Sequence, residues 1–380
     1  MNDAVIVVAR RTPTGKREGM LSGIHPADLS ALVIEDIVST TGIDPNLIDD
    51  VIWGCVTQAG EQTGDIARTA ALSAGLPESV TGVTVDRQCG SSQQALHFAA
   101  AGVASGQYDI AIAGGVESMS RNPMFSSSMG KSPYGTKFKD RYQGDDPNQG
   151  IGAEMIAEKW GFSRTELDEF AVRSHELAAA ATDAGAFESQ IIPVETENGT
   201  VSVDEGIRRG GSVEKLAKLQ TVFKEDGVIH AGNASQISDG SAAMLVMSSQ
   251  RAKELGLTPL VRVHTAVLAG ADPIMMLTAP IPATEKALKK SGLSINDIGT
   301  FEINEAFAPV PLAWLKETGA NPDLLNPHGG AIALGHPLGG SGTRLMSTMI
   351  HNMVNNNIKY GLQSMCEGGG QANATILELL

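Results

Sequence analysis

Three residues in this chain have types and settings that could do covalent chemistry. Cys89 lies between a strand-like run, Val83-Thr84-Val85, and a helix-like run that opens at Ser91-Ser92-Gln93. A helix amino terminus directs unpaired N–H groups and a partial positive charge at the residue before it, which favours a thiolate and hence a nucleophile. A free cysteine is otherwise most often a small buried hydrophobe, so Cys89 alone leaves both readings open. His336 sits in Gly335-His336-Pro337-Leu338-Gly339-Gly340, preceded by Gly329-Gly330, where closely set glycines let backbone and ligand approach each other. Such a histidine could take the cysteine proton, or could simply be a hydrogen-bonded structural residue. Cys366 begins Cys366-Glu367-Gly368-Gly369-Gly370 after a strand-like run, a nest of accessible N–H groups in which a second reactive thiol is plausible.

These residues need a scaffold, and the pattern around them is α/β. Strand-like 5–8 is followed by helix-like 28–40, with Leu29, Leu32, Val33 and Ile37 at helical spacing, and then by strand-like 51–53. Shifted against itself by about 250 residues, the chain matches weakly: Gly42-Ile43 falls on Gly292-Leu293, Ile48 on Ile298 and Val51 on Phe301. Each half also repeats a Gly/Ser turn, a long helix-like run, a short strand and a group of glycines. The first copy reads Cys89-Gly90-Ser91-Ser92, then 109–113 and Gly114-Gly115; the second reads Gly339-Gly340-Ser341-Gly342, then 361–365 and Gly368-Gly369-Gly370. The pattern therefore predicts a duplication, with residues 1–118 plus 241–260 as one half and 261–380 as the other. Residues 119–240 differ in character and read as an inserted loop domain, a lid, with a capping box predicted at Ser163 and Glu166. This insertion carries Arg208, Arg209, Lys215, Lys218 and Lys224, either a local site for an anionic ligand or a solvated charged face.

Composition narrows the classes. A chain of 380 residues exceeds one ordinary hydrophobic core, and 42% hydrophobic with 19% charged residues is a globular balance. A net charge of −15 argues against a general nucleic-acid binder. Three cysteines, Cys55, Cys89 and Cys366, make poor material for a disulfide framework and fit a reducing cytoplasm. The opening Ala4-Val5-Ile6-Val7-Val8 meets Arg10-Arg11 too soon for a signal peptide, no run spans a bilayer, and Glu378-Leu379-Leu380 is no peroxisomal address.

At the level of ordered motifs, the chain resembles a thiolase along essentially its whole length. The motifs are Gln88-Cys89-Gly90-Ser91-Ser92 with Gly114-Gly115-Val116-Glu117-Ser118-Met119, Gly232-Asn233-Ala234-Ser235-Gln236-Ile237-Ser238-Asp239-Gly240, Asn304-Glu305-Ala306-Phe307, Gly335-His336-Pro337 and Cys366-Glu367-Gly368-Gly369-Gly370. The resemblance implies an α/β fold of two βαβαβαββ halves stacked as five αβαβα layers, with the loop domain inserted in the first half. It also implies roles: Cys89 takes the acyl group, His336 activates it, and Cys366 moves the proton on the α-carbon of the second substrate. Asn304 would hold a water that with His336 forms one oxyanion hole; the N–H groups of Cys89 and Gly368 would form the other. Ser235 would contact the pantetheine arm, Arg208 the nucleotide end, and Phe223 and Phe307 would line the cleft.

The implied reaction is cleavage of a 3-ketoacyl-CoA by CoA, or the reverse Claisen condensation, through an acyl-Cys89 intermediate. CoA is a substrate, no metal or other cofactor is expected, and a homodimer or homotetramer is implied. Departures from the pattern of acetoacetyl-specific members bear on the acyl group: Gln149-Gly150 ahead of Ile151-Gly152-Ala153-Glu154, Met276-Leu277, and Gln371-Ala372 each stand where Met-Gly is usual. They suggest a degradative enzyme with a longer or bulkier acyl chain. Two other readings share the scaffold: a ketoacyl synthase, which pairs its cysteine with two histidines or with His and Asn, and a non-catalytic acyl-CoA-binding protein.

Overall fold

The computed structural model describes residues 3–380. The apolar opening run forms β1 (Val5–Arg11), buried on both faces as a central strand between helical layers must be. A two-residue strand, β2 (Gly15–Lys16), leads to α1 (Pro26–Thr41). Pro26 sits where its fixed φ suits a first turn, the His25 side chain accepts from Ala27 N–H, and Gly42 closes the helix in the left-handed region. Then come β3 (Asp50–Gly54), α2 (Ile66–Ser73), β4 (Thr81–Val85), α3 (Ser91–Ser105) and β5 (Ile110–Ser118).

The next stretch leaves the main sheet. It holds α4 (Thr136–Arg141), α5 (Gln149–Trp160), α6 (Arg164–Asp183), a small ribbon of β6 (Val194–Thr196) and β7 (Gly199–Val201), and α7 (Val213–Leu216). The predicted capping box is present: Ser163 and Glu166 each satisfy the other's backbone N–H. A buried, bidentate pair from Arg11 in β1 to Asp204, at 2.7 and 2.9 Å, ties this stretch to the sheet.

The chain returns with β8 (Ser238–Met247) and α8 (Ser249–Glu254). It continues through β9 (Val261–Gly270), α9 (Pro280–Ser291), β10 (Thr300–Ile303), α10 (Pro309–Thr318), α11 (Ala331–Leu334), α12 (Ser341–Asn356), β11 (Tyr360–Glu367) and β12 (Gln371–Leu379). The strand order is β10-β11-β12-β9-β1-β8-β5-β3-β4, with β2 on β8. Each half follows one plan: β3 lies parallel to β5, with β5 to β8 and β8 to β1 antiparallel. Correspondingly β10 lies parallel to β11, with β11 to β12 and β12 to β9 antiparallel. The halves meet edge to edge where Val5 and Ile6 of β1 pair with Arg262 and Val261 of β9.

The five expected layers are present. Helices α1 and α2 cover one outer face, α9 and α10 the other, and α3 and α12 pack against each other between the two halves of the sheet. Buried Leu96, Ala99, Val103, Met346, Met349 and Ile350 make that middle layer apolar. The repeat seen in sequence is real at the level of elements, since α3 and α12 both open on a serine, Ser91 and Ser341, and β3 and β10 occupy matching places. The copies differ where β4 would recur: its counterpart shrinks to a single bridge between Phe301 and Leu325.

One detail of the sequence match needs correcting. Gly114 and Gly115 are interior residues of β5, whereas Gly368-Gly369-Gly370 turn the chain from β11 into β12, so the two glycine groups are not counterparts. A Cβ on Gly115 would lie 2.3 Å from the Gly339 carbonyl oxygen and 2.7 Å from that of Gly54. Glycine at that strand position lets the backbones of the two halves touch.

Candidate active site

Cys89 stands on a sharp turn between β4 and α3. Gln88, just before it, has φ +49°, a left-handed conformation that costs a non-glycine residue on the order of 1 kcal/mol or more. The turn is held by Asp86, which accepts from Gln88 N–H at 2.7 Å, and by Ser91, whose hydroxyl accepts from Arg87 N–H at 2.9 Å and donates to the Gln88 carbonyl at 2.6 Å. Cys89 is buried among Met119, Leu338, Leu345 and Met365, with Val56 and Ile237 partly exposed beside it. Burial, followed by Cys366 and Glu367 when these are charged, pushes the Cys89 thiol well above the usual range, against the thiolate that the amino end of α3 favours. Attack is therefore coupled to loss of the thiol proton.

His336 is built to receive that proton. Its loop is fixed by Gly335 at φ +88° and by Ser238, whose hydroxyl accepts from His336 N–H at 3.0 Å. The Ser341 hydroxyl donates to the Pro337 carbonyl at 2.8 Å and lies 2.6 Å from His336 Nδ1. With its own hydrogen committed, Ser341 can only accept from Nδ1–H, which leaves Nε2 as the free base. Burial, reinforced by Arg344, holds the imidazole neutral down to about 3.

Asn304, at the end of β10, joins the base to the second thiol. Its Nδ2 lies 3.4 Å from His336 Nε2 and 3.7 Å from Cys366 Sγ, while its buried Oδ1 has no partner among the described residues. An unpartnered acceptor at that point suits the water implied for this asparagine. Burial pushes Cys366 up to about 11, against the pull of the Asn304 amide, so it too rests as a thiol that can carry a proton. Cys89 shares its apolar pocket with Leu338 and Met365, neighbours in sequence of His336 and Cys366, and lies near enough to Cys366 for a charge on one thiol to raise the other. Parts of the chain far apart in sequence thus converge on one spot.

The other candidate residues are placed as follows. Gly368 follows β11 beside the nucleophile's turn, where an added Cβ would fall 2.7 Å from Gln88 Oε1. Ser235 is partly buried and donates its N–H to the Ala306 carbonyl at 2.9 Å, and its neighbour Ala234 pairs with Phe307. Phe223 and Phe307 meet edge to face at 5.9 Å. Gly150 makes room for them, since a Cβ there would sit 2.2 Å from the Phe223 ring. Arg208 is exposed, its backbone N–H bonded to His175 at 3.1 Å, and its guanidinium has no acidic partner among the described residues. In the same patch Arg209 is paired with Asp183 and Lys224 with Glu158.

Sequence reading missed the residues that hold this arrangement. Ser341 sets the His336 tautomer. Glu117 accepts from Val56, Thr57 and Gly339 N–H and from Gln62, and so fixes the loop that follows His336. Glu305 accepts from Ser174, Asn326 and Ile332 N–H, pinning the loop that precedes it to α6. The internal repeat could have flagged two of them, since Ser341 matches Ser91 and Glu117 matches Glu367. Nothing in the local sequence of Glu305 predicts which donors it meets.

Comparison with known proteins bears on the family and the fold. A family model for the thiolase N-terminal domain matches residues 4–250, and one for the thiolase C-terminal domain matches residues 257–379. Among curated relatives, the steroid 3-ketoacyl-CoA thiolase FadA6 of Mycobacterium tuberculosis is 51% identical, covering 100% of this chain and 95% of that one. A 3-ketoacyl-CoA thiolase of Photobacterium profundum is 45% identical over 100% of both. Among solved structures, the acetyl-CoA acetyltransferase of Bacillus anthracis superimposes with a TM-score of 0.92 at 37% identity, covering 100% of this chain and 99% of that one.

Proposed function

The chain belongs to the thiolase family, and on that premise we propose that it cleaves 3-ketoacyl-CoA with CoA, giving acetyl-CoA and a shortened acyl-CoA, or runs the reverse condensation. The observation that carries this reading is the Asn304 amide set between the His336 base and the Cys366 thiol, next to the pocket that buries Cys89. His336 Nε2 takes the Cys89 proton as the sulfur attacks the keto carbon. The bond between the α- and β-carbons then breaks, and Cys366 protonates the departing acetyl-CoA enolate. In the second half-reaction CoA attacks the acyl-Cys89 thioester, its thiol proton passing to Cys366 and restoring that thiol, while protonated His336 returns its proton to the Cys89 sulfur as it leaves.

Two oxyanions arise, and two sets of donors answer them: protonated His336 with the Asn304 water, and the N–H groups of Cys89 and Gly368. Loss of one such donor costs about 3 kcal/mol of barrier. No metal or organic cofactor enters these steps. Ser235 and the Phe223–Phe307 pair suit the pantetheine arm, and exposed Arg208 suits the nucleotide phosphates.

The acyl group we assign is longer or bulkier than acetyl, in a degradative direction. Support comes from the Gln149, Leu277 and Gln371 departures and from identity to a relative named for steroid 3-ketoacyl-CoA. We further read the chain as a homodimer or pair of dimers: β4 is an edge strand with an open hydrogen-bonding side, its Val83 43% exposed and Phe98 of α3 47% exposed. No helix among the described residues is long and apolar enough to cross a membrane, and chemistry through free thiols fits a reducing cytoplasm.

The test is CoA-dependent cleavage of a panel of 3-ketoacyl-CoA substrates from acetoacetyl upward. We expect kcat/KM to rise with acyl size. Activity confined to acetoacetyl-CoA removes the size assignment, and no cleavage of any member removes the function.

A further inference from the structure

Glu367 is a buried acid that the mechanism above does not use. It follows Cys366, ends β11, is fully buried, and neither of its carboxyl oxygens has a hydrogen-bond partner among the described residues. Its place is defined by Gly90, the residue after Cys89. A Cβ added to Gly90 would lie 1.9 Å from Glu367 Oε1 and 2.7 Å from Asn373 Nδ2, so the carboxyl and the amide press on the same point of the backbone. Asn373 is oriented there by donating Nδ2–H to the Gly90 carbonyl at 2.9 Å, which leaves its Oδ1 buried and also without a partner.

A fully buried carboxylate that meets no donor costs several kcal/mol, a cost the undissociated acid avoids. The matching acid in the other half makes the contrast: Glu117 accepts from three backbone N–H groups and one side-chain amide.

We propose that Glu367 is a positioning residue for acyl transfer: it stands as the undissociated acid against Gly90, behind Cys89, and its ionisation takes Cys89 out of the reaction. This rests on the thiolase reading for its consequence, though not for its geometry.

The charges around Glu367 fit. Burial pushes its carboxyl up to about 8; Arg87, on the turn before α3, pulls it back, as does the Asn373 backbone N–H although it stands outside hydrogen-bonding geometry, and Asp86 on the Arg87 turn adds to the push. Arg87 spends Nη1 on Gln371 Oε1 at 3.0 Å and forms no ion pair with Glu367. From β12 only uncharged Gln371 and Asn373 face it, and the remaining titratable neighbours are the thiols Cys89 and Cys366. A charged Glu367 raises both thiols, and Glu117 acts on Cys89 in the same sense. With Glu367 neutral, the nearest of these negative charges is removed from the place where sulfur and enolate must carry one.

The experiment compares wild type with Glu367→Gln, an isostere of the neutral acid. Iodoacetamide labelling of Cys89, read by peptide mass spectrometry, and kcat/KM for cleavage are both followed across a pH range that brackets about 8. Well below that value the two proteins should match. Above it, wild type should fall behind the variant in labelling by about threefold or more, the factor that half a pKa unit gives, and its kcat/KM should drop while that of the variant holds. Superimposable labelling profiles would overturn the proposal. So would failure of Glu367→Gln to fold, because a fold that needs the neutral acid must accept its amide. Labelling is independent of turnover, so profiles that diverge as expected in a protein without cleavage activity would sink the thiolase reading alone.

Discussion

At the amino end of α3 the order is Cys89-Gly90-Ser91, and at the amino end of α12 it is Gly339-Gly340-Ser341, the same step in the second copy of the fold. Both serines bond back to the turn before their helix. Ser91 closes the strained Gln88 turn, and Ser341 instead fixes the His336 ring. Both helix ends also face an acid from the opposite half. Glu117 binds Gly339 N–H as one of four donors, whereas Glu367 lies on Gly90 with none. One end is thus fully satisfied and serves as a mount, while the other keeps unmet polarity beside its nucleophile. Duplication supplied one backbone device twice, and chemistry settled on the copy left under strain.

The largest expected effect probes which thiol does what. Cys89→Ala should lose acylation and cleavage together, by at least about a thousandfold in kcat. Cys366→Ala should still accept a labelled acetyl group from acetyl-CoA on Cys89 while losing condensation. Label retained by the Cys89 variant would reverse the assignment.

A middle-sized effect separates the two serines. Ser341→Ala frees the tautomer of His336 and should lower kcat roughly tenfold with little change in KM, the scale expected when a base loses its orienting partner. Ser91→Ala should instead cost about 1 kcal/mol of stability, read by denaturant unfolding. Equal kinetic losses in both variants would mean that the helix ends are not specialised.

The smallest effect concerns buried titration. Burial lifts Glu302 to about 8 from 4.5, against Arg344 and with Glu305 adding to the lift. Its stabilisation is therefore complete below about 4.5 and is lost as pH rises through about 8. His336 works the other way: held down to about 3 from 6.5, it favours the fold fully above 6.5 and loses that as pH falls. Between about 6.5 and about 8 the histidine no longer contributes a slope, so unfolding free energy should decline with pH, and Glu302→Gln should flatten that decline by on the order of 1 kcal/mol. Parallel curves would show that Glu302 is already ionised in the fold.

Much of this molecule can be read from its order of residues. Helical spacing placed α1 within two residues of its observed ends, the Ser163–Glu166 box marked the start of α6, and the weak match at an offset of about 250 residues exposed the duplication. Those signals are local or repetitive, so they survive without tertiary contacts. The glycine pairing failed because a glycine in a strand and a glycine in a turn look alike until one knows what approaches the missing Cβ.

By itself, the sequence determined the family, the doubled α/β plan and the identities of the reactive side chains, because these follow from residue type, period and ordered motif. The protonation of those side chains was decided only by the tertiary structure. A helix amino terminus suggested an anionic sulfur at Cys89, yet enclosure by Met119, Leu338, Leu345 and Met365 pushes its thiol well above the usual range. Charge in a protein interior depends on what surrounds a group in space, and those surroundings come from segments hundreds of residues apart.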